Sequence, residues 1–197
     1  MYIAILFSLY KAFGLRVMIA VLIGTCFAVL FADQLSASIL RPWLGRLRPA
    51  HPENPISEFV HIVDGHRGGS YGFPSSHAAN TFAVATLLSL IFRHLRFTIA
   101  IFFWALLNCY SRIYLGMHYP GDLIVGSLIG IVFGLLIYLC LALSLGRKPT
   151  LRWKREKPDF PLTRVVRSPF LLFPSDIVIF IEVLTLGSVC IAYLFTI

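Results

Sequence analysis

The chain has 197 residues, of which 58% are hydrophobic and only 13% charged, and its mean hydropathy is +0.82. Soluble domains carry roughly a quarter charged residues, so the composition excludes an ordinary soluble domain and points to one integral membrane domain spanning 1–197. A net charge of +8 would suggest a nucleic-acid partner in a soluble protein. In a membrane chain it reads instead as basic loops on the cytoplasmic side, and no nucleic-acid partner is expected.

In chain order, the opening run Met1 to Tyr10 is too short to span a bilayer, which takes about 20 apolar residues as helix. It fits a stub, an interfacial helix or the remainder of a longer span. Five further apolar runs qualify or come close: roughly 17–40, 76–92, 97–115, 122–145 and 176–196. The expected fold is therefore all-α, an integral membrane helical bundle. Between the runs, basic residues divide unevenly. Lys11, Arg16, Arg93, Arg96 and eight more from Arg147 to Arg167 fall on one side, and only Arg41, Arg46, Arg48, Arg67 and Arg112 on the other. The positive-inside rule puts the richer side in the cytoplasm, so the five arginines face outward. The outward loop 49–73, rich in proline and glycine, has the length of a lid or binding loop. The basic loop 146–175 suits an anionic inner leaflet or a solvated linker. Cys26, Cys109, Cys140 and Cys190 all sit inside apolar runs without a CxxC pair, and read as small hydrophobes.

Three polar clusters interrupt this apolar pattern at the outer ends of the runs. The first is RPWLGRLRP, with Arg41 and Arg48 seven residues apart. The second is GFPSSHAAN, in which Pro74 and Ser75 look like a helix start whose first amides are open to an anion. The third is SRIYLGMHYPGD, holding Ser111, Arg112, His118 and Asp122. Antiparallel spans with short connections pack as neighbours, so Arg41, Arg48, His77, Arg112, His118 and Asp122 can converge. No metal cluster of His and carboxylates stands out, so metal is expected to play no part and the positive charge must come from arginines. Three guanidiniums and helix-end amides match the oxygens of a transferring phosphoryl group. Two histidines suggest a nucleophile and a proton donor, with Asp122 four residues after His118 to orient its ring.

Arg41-x6-Arg48-Pro49, Pro74-Ser75-Ser76-His77 and Ser111-Arg112-x5-His118-x3-Asp122 together resemble the type-2 phosphatidic acid phosphatase superfamily of membrane lipid phosphate phosphatases. That family's pattern has lysine where Arg41 stands and glycine where Ser76 stands, and the present N-terminus is about one span shorter than the family's usual six-helix bundle. The resemblance covers about 17–145 and implies five to six spans with the active site at the outer, periplasmic end of a bacterial inner membrane. It implies that His118 is the nucleophile, forming a phosphohistidine, that Asp122 orients it, and that His77 protonates the leaving group and then activates water. Arg41, Arg48, Arg112, Ser75 and Ser76 would bind the phosphate, with no cofactor.

The expected function is accordingly metal-independent hydrolysis of a membrane lipid phosphate, foremost a lipid A phosphate or undecaprenyl diphosphate. Phosphatidylglycerophosphate or phosphatidic acid, transfer of the phosphoryl group to another lipid, and phosphate binding without catalysis are the alternatives. Asn80 and Asn108 lie about one turn below His77 and Arg112 and are candidates to support the site from beneath. Asp33, roughly 12 Å below Arg41 on a helix, is expected to pair with a neighbouring helix, and Glu182 lies far from the chemistry. Arg46 and Arg67 fit no motif position and read as headgroup anchors or lid residues. His51, His61, His66 and His94 read as structural.

Overall fold

A computed structural model describes residues 2–62, 65 and 67–145. The run 176–196 with Glu182, the loop 146–175, Cys190 and His66 lie outside the described residues. Among the described residues every regular element of more than one bridge is a helix: α1 (Tyr2–Phe13), α2 (Leu15–Asp33), a π-helical continuation (Gln34–Leu40), α3 (Arg41–Leu44), a 3-10 turn (Ser57–Phe59), α4 (Ser76–Phe92), α5 (Leu95–Tyr114) and α6 (Pro120–Ser144). One isolated antiparallel bridge joins Leu47 to Tyr71.

Among the described residues three helical stretches are long and apolar enough to cross a membrane: Leu15–Leu44, Leu95–Tyr114 and Pro120–Ser144. Their outward faces carry large exposed apolar side chains, such as Phe27 and Phe31 on α2, Phe103 and Leu106 on α5, and Leu128 and Val132 on α6. Exposed apolar surface on this scale is unfavourable in water and natural against lipid. The expected run 17–40 is thus longer in the structure, because α2 passes through the π-helical segment into α3 without a break. Gly45, in the left-handed conformation at φ 58°, closes it. The short α1 packs against α2 through the buried Ile5 and Leu9, with Gly14 between the two helices.

The 17-residue α4 is the shortest of the four main helices, and α2, α5 and α6 all pack on it. Seven consecutive residues, Phe82 to Leu88, are buried. The α6 side of this packing is a stripe of glycines four residues apart. A side chain on Gly126 would strike the carbonyl of Ser75, one on Gly130 the carbonyl of Ala79, and one on Gly134 the carbonyl of Ala83. Ser75, Ala79 and Ala83 are themselves small, so the two backbones touch. Between helices in lipid the hydrophobic effect contributes little, and close van der Waals packing of small residues takes its place. Both helices begin at the same end of the bundle, so this contact fixes the start of α4 relative to the start of α6.

Candidate active site

Each motif is placed by a local structural rule. Ser75 caps α4: its backbone is extended, and its Oγ accepts the Ala78 amide at 3.4 Å. The amides of Ser76 and His77, in the first turn, have no helical acceptor. Tyr119 caps α6, with Pro120 at the first helical position, where a missing amide costs nothing. Asp122 then occupies the third position, and its Oδ2 accepts the Tyr119 amide at 2.9 Å, as a capping carboxylate does. Arg112 lies in the last turn of α5. The chain turns at Gly116, φ +65°, where a side chain would collide with Val60. Arg41 opens α3, and the bridge from Leu47 to Tyr71 carries Arg48 back over the site.

Backbone hydrogen bonds tie these pieces together. Ser75 N donates to Asp122 O at 3.0 Å, Arg48 N to Ser70 O at 3.0 Å, and Ala50 N to Gly116 O at 3.1 Å. Gly72 fits between the Arg48 side chain and Asp122, where an added Cβ would lie 3.1 Å from Arg48 Cγ and 3.4 Å from Asp122 Oδ2. The clusters from three distant parts of the chain therefore share one surface. Arg41 and Arg112 both act electrostatically on Arg48, and all three act on the imidazole of His77, which also feels His118.

Within this group the cations are oddly under-used. Arg41 Nη2 donates to Ser76 Oγ at 2.9 Å and to Pro74 O at 3.2 Å. Arg48 Nε donates to Tyr71 O at 3.1 Å, and its Nη1 reaches Met117 O at 3.5 Å. Among the described residues none of Arg41, Arg48 and Arg112 pairs with a carboxylate. Nε of Arg41 and of Arg112 is buried without a partner. Burial first, then the like charge of Arg41, push the Arg48 guanidinium below its ordinary value, against the pull of Asp122. An arginine remains ionised through such a shift, so the region is a standing surplus of positive charge that an anion would relieve.

His118 is 2% exposed and Asp122 0%. His118 Nδ1 faces Asp122 Oδ2 at 3.5 Å, too long and poorly aligned to count as a hydrogen bond. The facing direction still leaves Nε2 as the ring nitrogen turned away from the carboxylate. Burial pushes the His118 imidazole below its usual range; Asp122 opposes this, and the charges of Arg48 and Arg41 add to it. Hence the neutral, nucleophilic form is the favoured one.

Where the chain departs from the family pattern, the two departures meet. Ser76 is simply the first helical residue of α4 and has no positive φ, so serine is unstrained there. Its hydroxyl is what Arg41 grips.

Other expectations fare differently. Asp33 does pair with a neighbouring helix: Asn80 Nδ2 on α4 donates to its Oδ1 at 3.1 Å. Asn80 is thereby turned toward α2, and Asn108 spends its amide on Trp104 O at 2.9 Å in its own helix. Neither amide side chain hydrogen-bonds a motif side chain, although the backbone carbonyl of Asn108 accepts the Ser111 hydroxyl at 2.7 Å. Arg67 donates to Ala50 O at 2.9 Å and so braces the outer loop. Arg46 is the residue that sequence reasoning misplaces. Rather than standing free as an anchor, its Nη1 donates to Asp122 Oδ1 at 3.0 Å.

Known proteins resemble the chain over most of its length. A profile of the PAP2 superfamily matches residues 18–144. A lipid A 4'-phosphatase of Bacteroides thetaiotaomicron is 46% identical over 158 residues, 80% of this chain and 68% of the relative. A lipid A 4'-phosphatase of Porphyromonas gingivalis is 38% identical over 70% of this chain and 58% of its own length. A lipid A 1-phosphatase of Rhizobium johnstonii is 31% identical over 59% of this chain and 46% of its own length. The chain thus spans about two thirds of the first relative and less of the others. No solved structure matches it comparably.

Proposed function

The chain belongs to the PAP2 superfamily, and from that premise we propose that this membrane phosphatase hydrolyses a phosphate of lipid A, the 4'-phosphate first, through a phosphohistidine on His118. The observation that carries the reading is the surplus of positive charge: three guanidiniums with no carboxylate partner among the described residues, two of them with a buried, unpartnered Nε, beside the open amides of Ser76 and His77. Such a group is built to receive the oxygens of a phosphoryl group.

In the first step His118 Nε2 attacks phosphorus while Asp122 holds the Nδ1 side of the ring. The N–P bond forms, the P–O bond to the sugar breaks, and His77 gives its proton to the departing oxygen. In the second step His77 takes a proton from water, whose oxygen attacks phosphorus. The N–P bond breaks, inorganic phosphate leaves, and His118 is restored. Arg41, Arg48 and Arg112, with the amides of Ser76 and His77, stabilise the charge on the equatorial oxygens throughout. Ser75 contributes by capping α4 and so aiming those amides.

The bundle has five to six spans and sits in the inner membrane, with this site at its periplasmic end. The uneven division of basic loop residues supports that orientation. A site at headgroup depth lets an amphiphile present its phosphate while its acyl chains stay in the bilayer.

The test is free-phosphate release by the purified protein from lipid A, undecaprenyl diphosphate, phosphatidylglycerophosphate and phosphatidic acid. Lipid A is expected to turn over fastest, vanadate to inhibit, chelator to have no effect, and His118→Ala to be inactive. No release from lipid A, or release that His118→Ala leaves intact, would overturn the proposal.

A further inference from the structure

Arg46 stands at a variable position of the first motif, yet it reaches the buried carboxylate of Asp122. Its Nη1 donates to Asp122 Oδ1 at 3.0 Å. The other oxygen, Oδ2, accepts the Tyr119 amide at 2.9 Å and faces His118. The Arg46 guanidinium also stacks on the Tyr119 ring at 4.1 Å from its centroid, with the Phe73 ring at 5.8 Å. Tyr119 is itself held, because its hydroxyl accepts Asn54 Nδ2 at 2.8 Å, and the same Asn54 amide donates to Arg48 O at 2.9 Å. On the backbone side, Gly72 N donates to Arg46 O at 2.9 Å. Arg46 is therefore fixed at both ends, although its side chain is 44% exposed.

Arg46 differs from the other arginines in its charge balance. Among the described residues Arg41, Arg48 and Arg112 lack carboxylate partners, whereas Arg46 takes the buried carboxylate of Asp122. Asp122 also lies within the fields of Arg41 and Arg48. Left loose, the carboxylate would be drawn toward those unpaired cations and away from His118. We infer that Arg46 is a positioning residue for the reaction, clamping Oδ1 of Asp122 so that Oδ2 stays turned to His118. It acts through Asp122 and does not touch the substrate. The inference rests on the reading of His118 and Asp122 as nucleophile and orienting group.

Acting on an orienter, Arg46 should govern turnover rather than binding. Arg46→Gln is expected to lower kcat about tenfold or more, as loss of an outer partner to a working side chain does, with KM within about twofold of wild type. Arg46→Lys should recover most of the loss, since it keeps the charge while giving up the planar fork. In an Asp122→Asn background Arg46→Gln should cost little more, because residues acting as a unit are not additive. Arg67→Gln, which removes one positive charge from the neighbouring outer loop 49–73, should stay near wild type and thereby control for lipid attraction. If Arg46→Gln does not fold, Arg46→Met, which keeps an apolar stem over Tyr119, replaces it with the same expectations. A wild-type kcat in Arg46→Gln beside an inactive His118→Ala would overturn this inference alone, as would a change confined to KM or a full additional loss in the Asp122→Asn background. Turnover by His118→Ala would overturn the dyad and this inference with it.

Discussion

At the mouth of the bundle Arg41, Arg48 and Arg112 pair with no carboxylate among the described residues, whereas along Gly126, Gly130 and Gly134 α6 meets α4 backbone to backbone with no charge in the contact. The mouth is a cluster of like charges, which repel and gain from a bound anion. The seam is close-packed, and each glycine Cβ position is already filled by the backbone of α4. The two are linked, because α4 and α6 start at the mouth and are joined there by the Ser75 amide on Asp122 O. A rigid apolar contact below is what allows a repulsive polar one above to hold its shape.

This contrast can be broken first at the mouth. Arg112→Ala is expected to lower kcat/KM on the order of a hundredfold or more, the scale of losing one preorganised donor to a transition-state oxyanion. Its melting temperature should not fall, since one of three repelling cations is gone; steady-state kinetics and a thermal melt in detergent measure both. At the seam the expectation reverses. Gly130→Val places carbon against Ala83 N, where a Cβ alone would lie at 2.8 Å, and should cost about 3 kcal/mol of stability. It should lower the melting temperature first, and lower the kcat of the protein that remains folded as well, because the seam sets α4 against α6 at the mouth.

A finer probe addresses the two departures from the family pattern. Because Arg41 and Ser76 share a hydrogen bond, Arg41→Lys and Ser76→Gly should each reduce kcat/KM, and the double variant should lose less than their sum. A coupling of about 1 kcal/mol in the double-mutant cycle is expected, and strict additivity would show that the contact does nothing. The smallest effect concerns pH. The acid limb of kcat/KM reports the free enzyme's essential base. Burial holds His118 below the ordinary imidazole range, so its neutral form persists as pH falls, and the limb should lie below pH ~6.5. A limb above that value would assign it to another group.

The legible part of this protein is local. Ser75 to His77, and His118 and Asp122, are recognisable because each set is held by one helix end, and Arg41 and Arg48 because they lie close together in the chain. Within the described residues the apolar runs match helices as well, except that 17–40 extends to 15–44 through a π-helical segment that hydropathy does not reveal. The Arg46–Asp122 pair joins residues 76 positions apart, and no spacing rule reaches across that distance. Seen from sequence, Arg46 is one more arginine at a membrane surface. The glycines of α6 are a different omission. Their four-residue repeat is visible in the chain and marks a close helix contact, but a count of apolar residues passes over it.

The central claim is that phosphorus is carried on His118. It is tested most directly by rapid quenching of the purified protein with the radiolabelled lipid phosphate that it turns over fastest. The account predicts a base-stable, acid-labile label on the peptide containing His118 and none in His118→Ala. A burst of free phosphate with no label on wild type, or continued turnover by His118→Ala, would contradict it.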